Sequence, residues 1–362
     1  MTSYFPLPVT LEEITAEWLT AAIRQRAPDA TVLSFEAVDT IRTTATKIRL
    51  RLERDEAAVR AGIPELVILK GGFEAHSQKV GIPEMHLKEV QAYRDVFPAL
   101  KLPAPACYFA DYDHELKQGI VIMEDLVARG VTFCHALRPQ SFEQAARRLR
   151  ALAAFHARTW DSADLLPGGR FGDLHEFFGG LMGFVQYHLE PETWERFEGS
   201  AQRACVSQTL LSREWMADAF PRMVIFARTL PQCVIHGDLH LNNLYIDTDG
   251  TPGFYDSLAT TAPGMLEVAY HVSAAVDVAN RARWEGALVA IYLEELTRNG
   301  VAPIPFDEAF YQYKILLLYG HFVWITNESH YQSDAINTAN AARAGQAMLD
   351  HEVMALIAQL PG

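Results

Sequence analysis

Residues 233–257 read Cys-Val-Ile-His-Gly-Asp-Leu-His-Leu-Asn-Asn-Leu-Tyr-Ile-Asp-Thr-Asp-Gly-Thr-Pro-Gly-Phe-Tyr-Asp-Ser, and this stretch decides the fold. Cys233-Val234-Ile235 forms a short apolar strand that delivers Asp238 into a polar loop. A second strand opens at Leu244, just past Asn243. Asp249-Gly250 is a hairpin turn signal, because tight hairpin loops need positive φ, which Gly supplies and Asp tolerates. The return strand, 253–255, presents Asp256. A hairpin brings its strand ends together, so the spacing predicts that Asn243 and Asp256 face one point in space. Two such oxygen donors with a nearby carboxylate suit a hard cation such as Mg²⁺, which keeps waters and takes further ligands from substrate phosphates.

Upstream of this hairpin the hydrophobic period is two. Residues 32–41 read as a strand, Lys47-Ile48-Arg49-Leu50-Arg51-Leu52 alternates as a half-buried one, and Leu66-Val67-Ile68-Leu69 is a buried run ending at Lys70. Ile120-Val121-Ile122-Met123 is a further apolar strand. Residues 86–97, which include Glu89, have helical spacing. Near the start, Thr10 and Glu13 form a capping-box pattern ahead of a stripe made by Ile14, Trp18, Leu19, Ala22 and Ile23, which predicts a first helix. After Met123 the period changes to that of a helix. Residues 141–160 place Phe142, Ala145, Leu149, Leu152, Ala153 and His156 on one face, and helical patterns dominate from there. The predicted plan is α+β and bilobal: a strand-rich lobe over 1–124, then a larger helical lobe over 125–362 with the β-hairpin embedded in it.

Composition limits the function. The chain has 362 residues, 49% of them hydrophobic and 21% charged, which is a folded composition. Lys and Arg number 31 against 45 Asp and Glu, for a net charge of −14. No excess of cations exists to displace counterions from a phosphate backbone, so a nucleic-acid partner is not expected. The opening Met-Thr-Ser-Tyr-Phe-Pro-Leu-Pro has neither the basic flank nor the apolar run of a signal peptide. The longest strongly apolar stretch, 315–325, is about half of the ~20 residues that span a bilayer. Cys107, Cys134, Cys205 and Cys233 have no metal-ligand spacing and read as buried reduced thiols. These features predict a cytoplasmic protein with no membrane partner.

His236-Gly237-Asp238-x-His240-x-x-Asn243, followed by Asp256 on the next strand, resembles the catalytic core of the aminoglycoside phosphotransferase and choline-kinase-like families, small-molecule relatives of the protein kinases. The Asp238-to-Asn243 spacing also matches the protein-kinase catalytic loop. The resemblance implies the bilobal protein-kinase-like fold and an ATP- and Mg²⁺-dependent phosphotransferase acting on a hydroxyl of a small molecule, with GTP as an alternative nucleotide. It further implies that Asp238 orients or deprotonates that hydroxyl, with His240 in the same loop, and that Asn243 and Asp256 hold the metal. Lys70 and Glu89 stand where the family places the phosphate-binding lysine and its helix-borne carboxylate. Met123-Glu124-Asp125-Leu126 resembles the hinge whose backbone binds adenine, through Glu124 and Leu126. The phosphate loop corresponds to residues 41–47, which contain no glycine, so the Thr43, Thr44 and Thr46 hydroxyls, or Lys47, would contact phosphate instead. Ser257-Leu258 replaces the aromatic and polar residues usual after the metal-binding Asp, and Glu267 stands where relatives often carry Asp.

Other readings weigh against this one. His236, Asp238 and His240 alternate as metallohydrolase ligands would, with His271 as a distant fourth, but that reading leaves Lys70, Glu89 and the hinge unexplained. A non-catalytic kinase-like binding protein would account for the glycine-free loop but not for the retention of Asp238, Asn243 and Asp256. By base rate His156 is a satisfied core histidine and His236 an architectural one. Tyr319, His321, Phe322, Trp324 and Tyr331 are by the same measure mostly helix core, part of which the resemblance would assign to an acceptor pocket.

Overall fold

The computed structural model describes residues 6–42, 45–79, 81–138 and 140–361, so Thr43 and Thr44 lie outside the described residues. The chain divides into two compact units, one running to Thr132 and including Gly253–Leu258, the other made of Phe133–Pro252 and Ala259–Gly362.

In the first unit, β1 (Val32–Arg42), β2 (Thr46–Arg54), β3 (Leu66–Gly71), β4 (Cys107–Asp113) and β5 (Gln118–Glu124) form an antiparallel sheet in the order β1-β2-β3-β5-β4. Period-two alternation sends Ile48, Leu50 and Leu52 of β2 into the core with Val67, Leu69, Ile120 and Ile122. Lys47, Arg49 and Arg51 are thereby turned to the other face. Helix α1 (Ala16–Arg24) adds Leu19, Ala22 and Ile23 to that core. The first helix differs from its expected form. The Thr10 N–H donates to Glu13 Oε2 at 3.4 Å, but this closes only a 3-10 turn over Leu11–Glu13. Ile14 is extended, and the α-helix starts afresh behind Thr15, whose hydroxyl accepts from the Trp18 N–H at 3.1 Å. Helix α2 (Ile82–Gln91) carries Glu89 and continues through a π-turn at Ala92–Val96 to Phe97–Leu100.

The second unit is mainly helical: α3 (Phe142–Ala157), α4 (Phe177–Leu189), α5 (Arg213–Arg228), α6 (Gly264–Ala275), α7 (Val278–Arg298), α8 (Phe306–Thr326) and α9 (Asp334–Asp350). The Ser141 hydroxyl and Gln144 amide form a capping box at the start of α3. Every residue of α6 is buried, and α6 packs on α8 and α9 while α3 packs on α7. A two-stranded antiparallel pair joins β6 (Cys233–Ile235) to Thr260–Ala262. Downstream of β6 lies the short strand β7 (Leu244–Ile246). The turn after it spans 247–251 and does not close on Asp249-Gly250 alone: Asp247 N–H donates to Thr251 O and Gly250 N–H to Asp247 O.

One further expectation needs correction, and another holds in the main. Cys134 and Cys233 are buried free thiols, but Cys107 is half-buried and Cys205 exposed, at the C-cap of the short helix Ala201–Ala204. His321, Phe322 and Trp324 are helix core, whereas Tyr331 lies beyond α8 and is 45% exposed. Among the described residues no helix is long and apolar enough to cross a membrane.

Candidate active site

Lys47 and Lys70 are register partners on adjacent antiparallel strands, so their side chains share one face of the sheet. Like charges directly opposite repel. The repulsion is answered by Asp256, a residue of the same unit although it is 209 positions from Lys47 in the chain. Lys47 Nζ lies 2.6 Å from Asp256 Oδ2 and Lys70 Nζ 3.1 Å from Oδ1, so each carboxylate oxygen holds one ammonium. Lys70 also donates to Glu89 Oε1 at 2.6 Å. Burial works against every charge in this cluster. For Lys70 it is outweighed by the Asp256 and Glu89 carboxylates, and its pKa is raised. For Asp256 it is outweighed by Lys47 and Lys70, and the pKa is lowered. Glu89 shares one lysine with a stronger competitor, so burial prevails and its pKa is raised. Asp256 is the firmer anion of the two. It holds φ 53°, a left-handed conformation that costs an ordinary L-residue about 1–2 kcal/mol and that Asp accepts better than most.

Glu89 reaches Lys70 because α2 lies close against the sheet. A Cβ on Gly72 would stand 2.5 Å from Cε1 of the His86 ring, and one on Gly119 would stand 3.0 Å from the His86 Cβ. These glycines provide the space that the helix occupies. The expected hinge is built on side chains that brace its backbone. Buried Asp125 accepts from the N–H groups of Val127 and Ala128, capping the turn at Leu126–Arg129, and binds Arg49 Nε at 2.5 Å. Glu124 Oε2 accepts from the Ala106 N–H and from Arg129, and the Glu124 N–H donates to Ala106 O.

The second unit holds the Asp238 loop. Gly237, at φ 86°, turns the chain out of β6. Glu267 on α6 fixes this turn: Oε1 accepts from the Gly237 N–H at 2.7 Å, and Oε2 from the His236 N–H at 3.0 Å. His156 Nε2 lies 3.0 Å from the same Oε2, and its Nδ1 lies 2.9 Å from the Tyr292 hydroxyl. Asn243 Nδ2 donates to the Asp238 carbonyl at 3.0 Å and to Oδ2 at 2.9 Å. His240 Nδ1 accepts from the Asn242 N–H, which leaves Nε2 as the hydrogen-bearing nitrogen, 3.4 Å from Asp238 Oδ2. Burial would raise the Asp238 pKa, but His240, His236 and Asn243 together lower it. Its side chain stays 31% exposed, so an ionised carboxylate is open to an incoming group. Burial, and after it the Asp238 charge, keep the nearby Tyr270 phenol protonated.

Within the first unit the structure thus gathers Lys47, Lys70, Glu89 and Asp256, and within the second Asp238, His240 and Asn243. Thr46 turns to Glu74, its hydroxyl donating at 3.2 Å. Asp256 in the first unit and Asn243 in the second each offer oxygen, a chemistry that suits a hard cation such as Mg²⁺ better than zinc. Among the described residues no three His, Cys, Asp or Glu side chains converge as metal ligands, so His236, Asp238 and His240 are not gathered as a metallohydrolase would need. His271 is spent elsewhere: Nδ1 donates to Leu239 O, and Nε2 faces the buried Arg148 guanidinium at 3.3 Å. Arg148 can only donate, so this imidazole has no lone pair left for a metal. Sequence reasoning noted Glu267 only as a departure and missed Tyr270. The signal for Glu267 was a lone carboxylate in an otherwise apolar helix, which must be paired if buried.

A family model described as Phosphotransferase enzyme family matches residues 82–304. No curated protein matches the chain. Among solved structures, choline kinase from Cryptosporidium parvum Iowa II is 9% identical over 94% of this chain and 95% of its own, with a TM-score of 0.53. The GDP and kanamycin complex of APH(2")-IIia is 11% identical over 88% of this chain and 95% of its own, with a TM-score of 0.51. At such identities the likeness is one of fold.

Proposed function

The chain belongs to the phosphotransferase enzyme family, and on that premise we propose that it moves the γ-phosphoryl group of ATP, or of GTP, to a hydroxyl of a small molecule in the cytoplasm. The observation that carries this reading is Lys70, a buried ammonium held between Glu89 and Asp256. No structural need explains so costly an arrangement, whereas a triphosphate needs a fixed cation.

Lys70 would bind the α- and β-phosphates, with Glu89 fixing its position. Lys47 would take the part of the glycines missing from the phosphate loop, together with Thr43 and Thr44. Backbone groups of Glu124 and Leu126 would bind the adenine edge. Asn243 and Asp256 would hold Mg²⁺, which supplies charge neutralisation on the phosphate oxygens when bound. Asp238 would accept a hydrogen bond from the acceptor hydroxyl, orient its oxygen toward the γ-phosphorus and take its proton as the oxygen attacks. Its lowered pKa keeps it ionised for that role. His240 would steady it through Nε2–H. In this assignment residues 1–124 are the nucleotide lobe and 125–362 the acceptor lobe. Catalysis of this kind is positioning and electrostatics, so losing one group should cost rate without unfolding the chain.

The test is thermal stabilisation by ATP and GTP, with and without Mg²⁺, in the native chain and in Asp256→Ala. A nucleotide at 100 times its Kd should stabilise the fold by about 2.7 kcal/mol. Mg²⁺-dependent stabilisation that is lost in the variant is the expected result, and no response to either nucleotide would overturn the proposal. Asp238→Asn should keep the stabilisation and lose nearly all turnover. Nucleotide binding with no transfer to any alcohol in the native chain would favour the non-catalytic reading.

A further inference from the structure

In the second unit, Asp238 stands at one end of an aromatic surface. His240, 3.4 Å from Asp238, meets the edge of Trp324 at 5.6 Å, and Trp324 stacks on Tyr270 at 6.1 Å. Tyr270 packs on Tyr319 with ring centroids 5.0 Å apart, and Tyr319 meets the edge of Phe177 at 5.0 Å. Phe177 opens α4, where helical spacing puts Gly180 and Phe184 on the same face. Both are exposed, Phe184 by 37%. At 1.5 Å per residue, this face extends the surface by roughly 10 Å.

The helix stretches that carry this surface bear almost no charge of their own. Helix α4 contains no Asp, Glu, Lys or Arg, nor does the stretch 315–326 of α8. Helix α6 contains one carboxylate, Glu267, and its oxygens are taken by His236, Gly237 and His156. Glu176, just before α4, is bound through both oxygens to Arg228 at 2.6 and 2.7 Å. Burial holds His271 down at about 3 and His321 at about 4, and it lowers His188, so these imidazoles are neutral at pH 7. Glu328, beyond α8, acts on His188 and is paired with His330 at 3.3 Å, so of these described carboxylates Asp238 is the one left open to an incoming molecule.

A polyamine sugar would bring several ammonium groups to a surface with one anion to receive them, and each unmatched charge would lose hydration. A single quaternary ammonium needs ring faces turned on it. Here Tyr270 and Trp324 are stacked on each other, 6.1 Å apart at 11°, and Phe177 meets Tyr319 at 88°, so the faces are largely spent within the protein.

Building on the phosphotransferase reading, we infer that the acceptor is an uncharged alcohol whose hydroxyl sits on an aromatic or alicyclic body, with the hydroxyl at Asp238 and the body along Tyr319, Phe177 and Phe184.

The test is calorimetric titration of the full chain, without nucleotide, with 2-(1-naphthyl)ethanol, choline and kanamycin. The naphthyl alcohol should bind most tightly, and Phe177→Ala and Tyr319→Ala should each weaken it roughly tenfold. Phe177→Glu supplies the missing anion and should reverse the order in favour of choline and kanamycin, a gain that a misfolded variant could not show. Tighter binding of choline or kanamycin by the native chain, no binding of the naphthyl alcohol, or indifference to both alanine variants would each overturn the inference. Nucleotide-dependent stabilisation, measured on the same samples, reports separately on the phosphotransferase reading.

Discussion

The Lys47 ammonium lies 2.6 Å from Asp256 Oδ2, so the carboxylate we assign to a metal already holds an internal cation. Lys70 holds the other oxygen. A metal arriving alone would have to displace one of two well-placed ammonium groups. A metal arriving with a triphosphate brings anions that can receive Lys47 in exchange.

Lys47→Met should therefore separate the two ligands. Affinity for Mn²⁺ alone, followed by electron paramagnetic resonance, should rise about tenfold, and affinity for ATP should fall by a similar factor. An unchanged Mn²⁺ affinity would mean that Lys47 does not compete at Asp256.

Gly72→Ala tests how closely α2 must approach. The added methyl would sit 2.5 Å from the His86 ring, and relieving this contact should move the helix and cost about 1–3 kcal/mol in urea unfolding. Because the same helix carries Glu89, turnover should fall more than tenfold even where the variant is folded. His86→Ala in the same chain should restore part of both losses. Absence of any recovery would show that the clash lies elsewhere.

Glu267→Gln replaces one oxygen by a donor where two backbone N–H groups and His156 require acceptors. A loss of about 3 kcal/mol in stability is expected. Since the turn it fixes leads directly into Asp238, kcat should drop while the KM for nucleotide changes little. A fall confined to stability would make Glu267 purely structural.

Acid should weaken the fold through two histidines. His271 and His321 titrate near 6.5 when unfolded but are held at about 3 and about 4 in the folded chain. Between those values the unfolded chain binds more protons, so stability falls as pH drops below 6.5 and does not change on their account above it. By pH 5 each should have removed about 2 kcal/mol. His321→Gln should flatten the slope of unfolding free energy against pH over this window. An unaltered slope would assign the acid sensitivity to other groups.

Much of this architecture is legible in the chain. The alternation of Lys47 to Leu52 determines which face of β2 is buried, and Ser141 and Gln144 mark the start of α3. Asp238 and Asn243 are five residues apart, so a short loop suffices to bring them into contact. What local spacing hides is contact across distance. Nothing near Lys47 in sequence points to a carboxylate 209 residues away. The placement of Gly253–Leu258 in the first unit has no periodic signature either. Tyr270 carries no local signal, because an aromatic residue in an apolar helix is usually ordinary core. The Thr10 pattern was genuine, but a second, better-placed cap at Thr15 won the helix.

The late position of Asp256 also affects how the protein is made. Lys70 leaves the ribosome 186 residues before the carboxylate that binds it, an interval of roughly 10–40 s at ordinary rates of elongation. Throughout that time the β2–β3 pair carries two opposed lysines with Glu89 as their one carboxylate partner among the described residues. The nascent first unit is thus electrostatically incomplete until the hairpin segment is synthesised, and the last step of its assembly is set by translation.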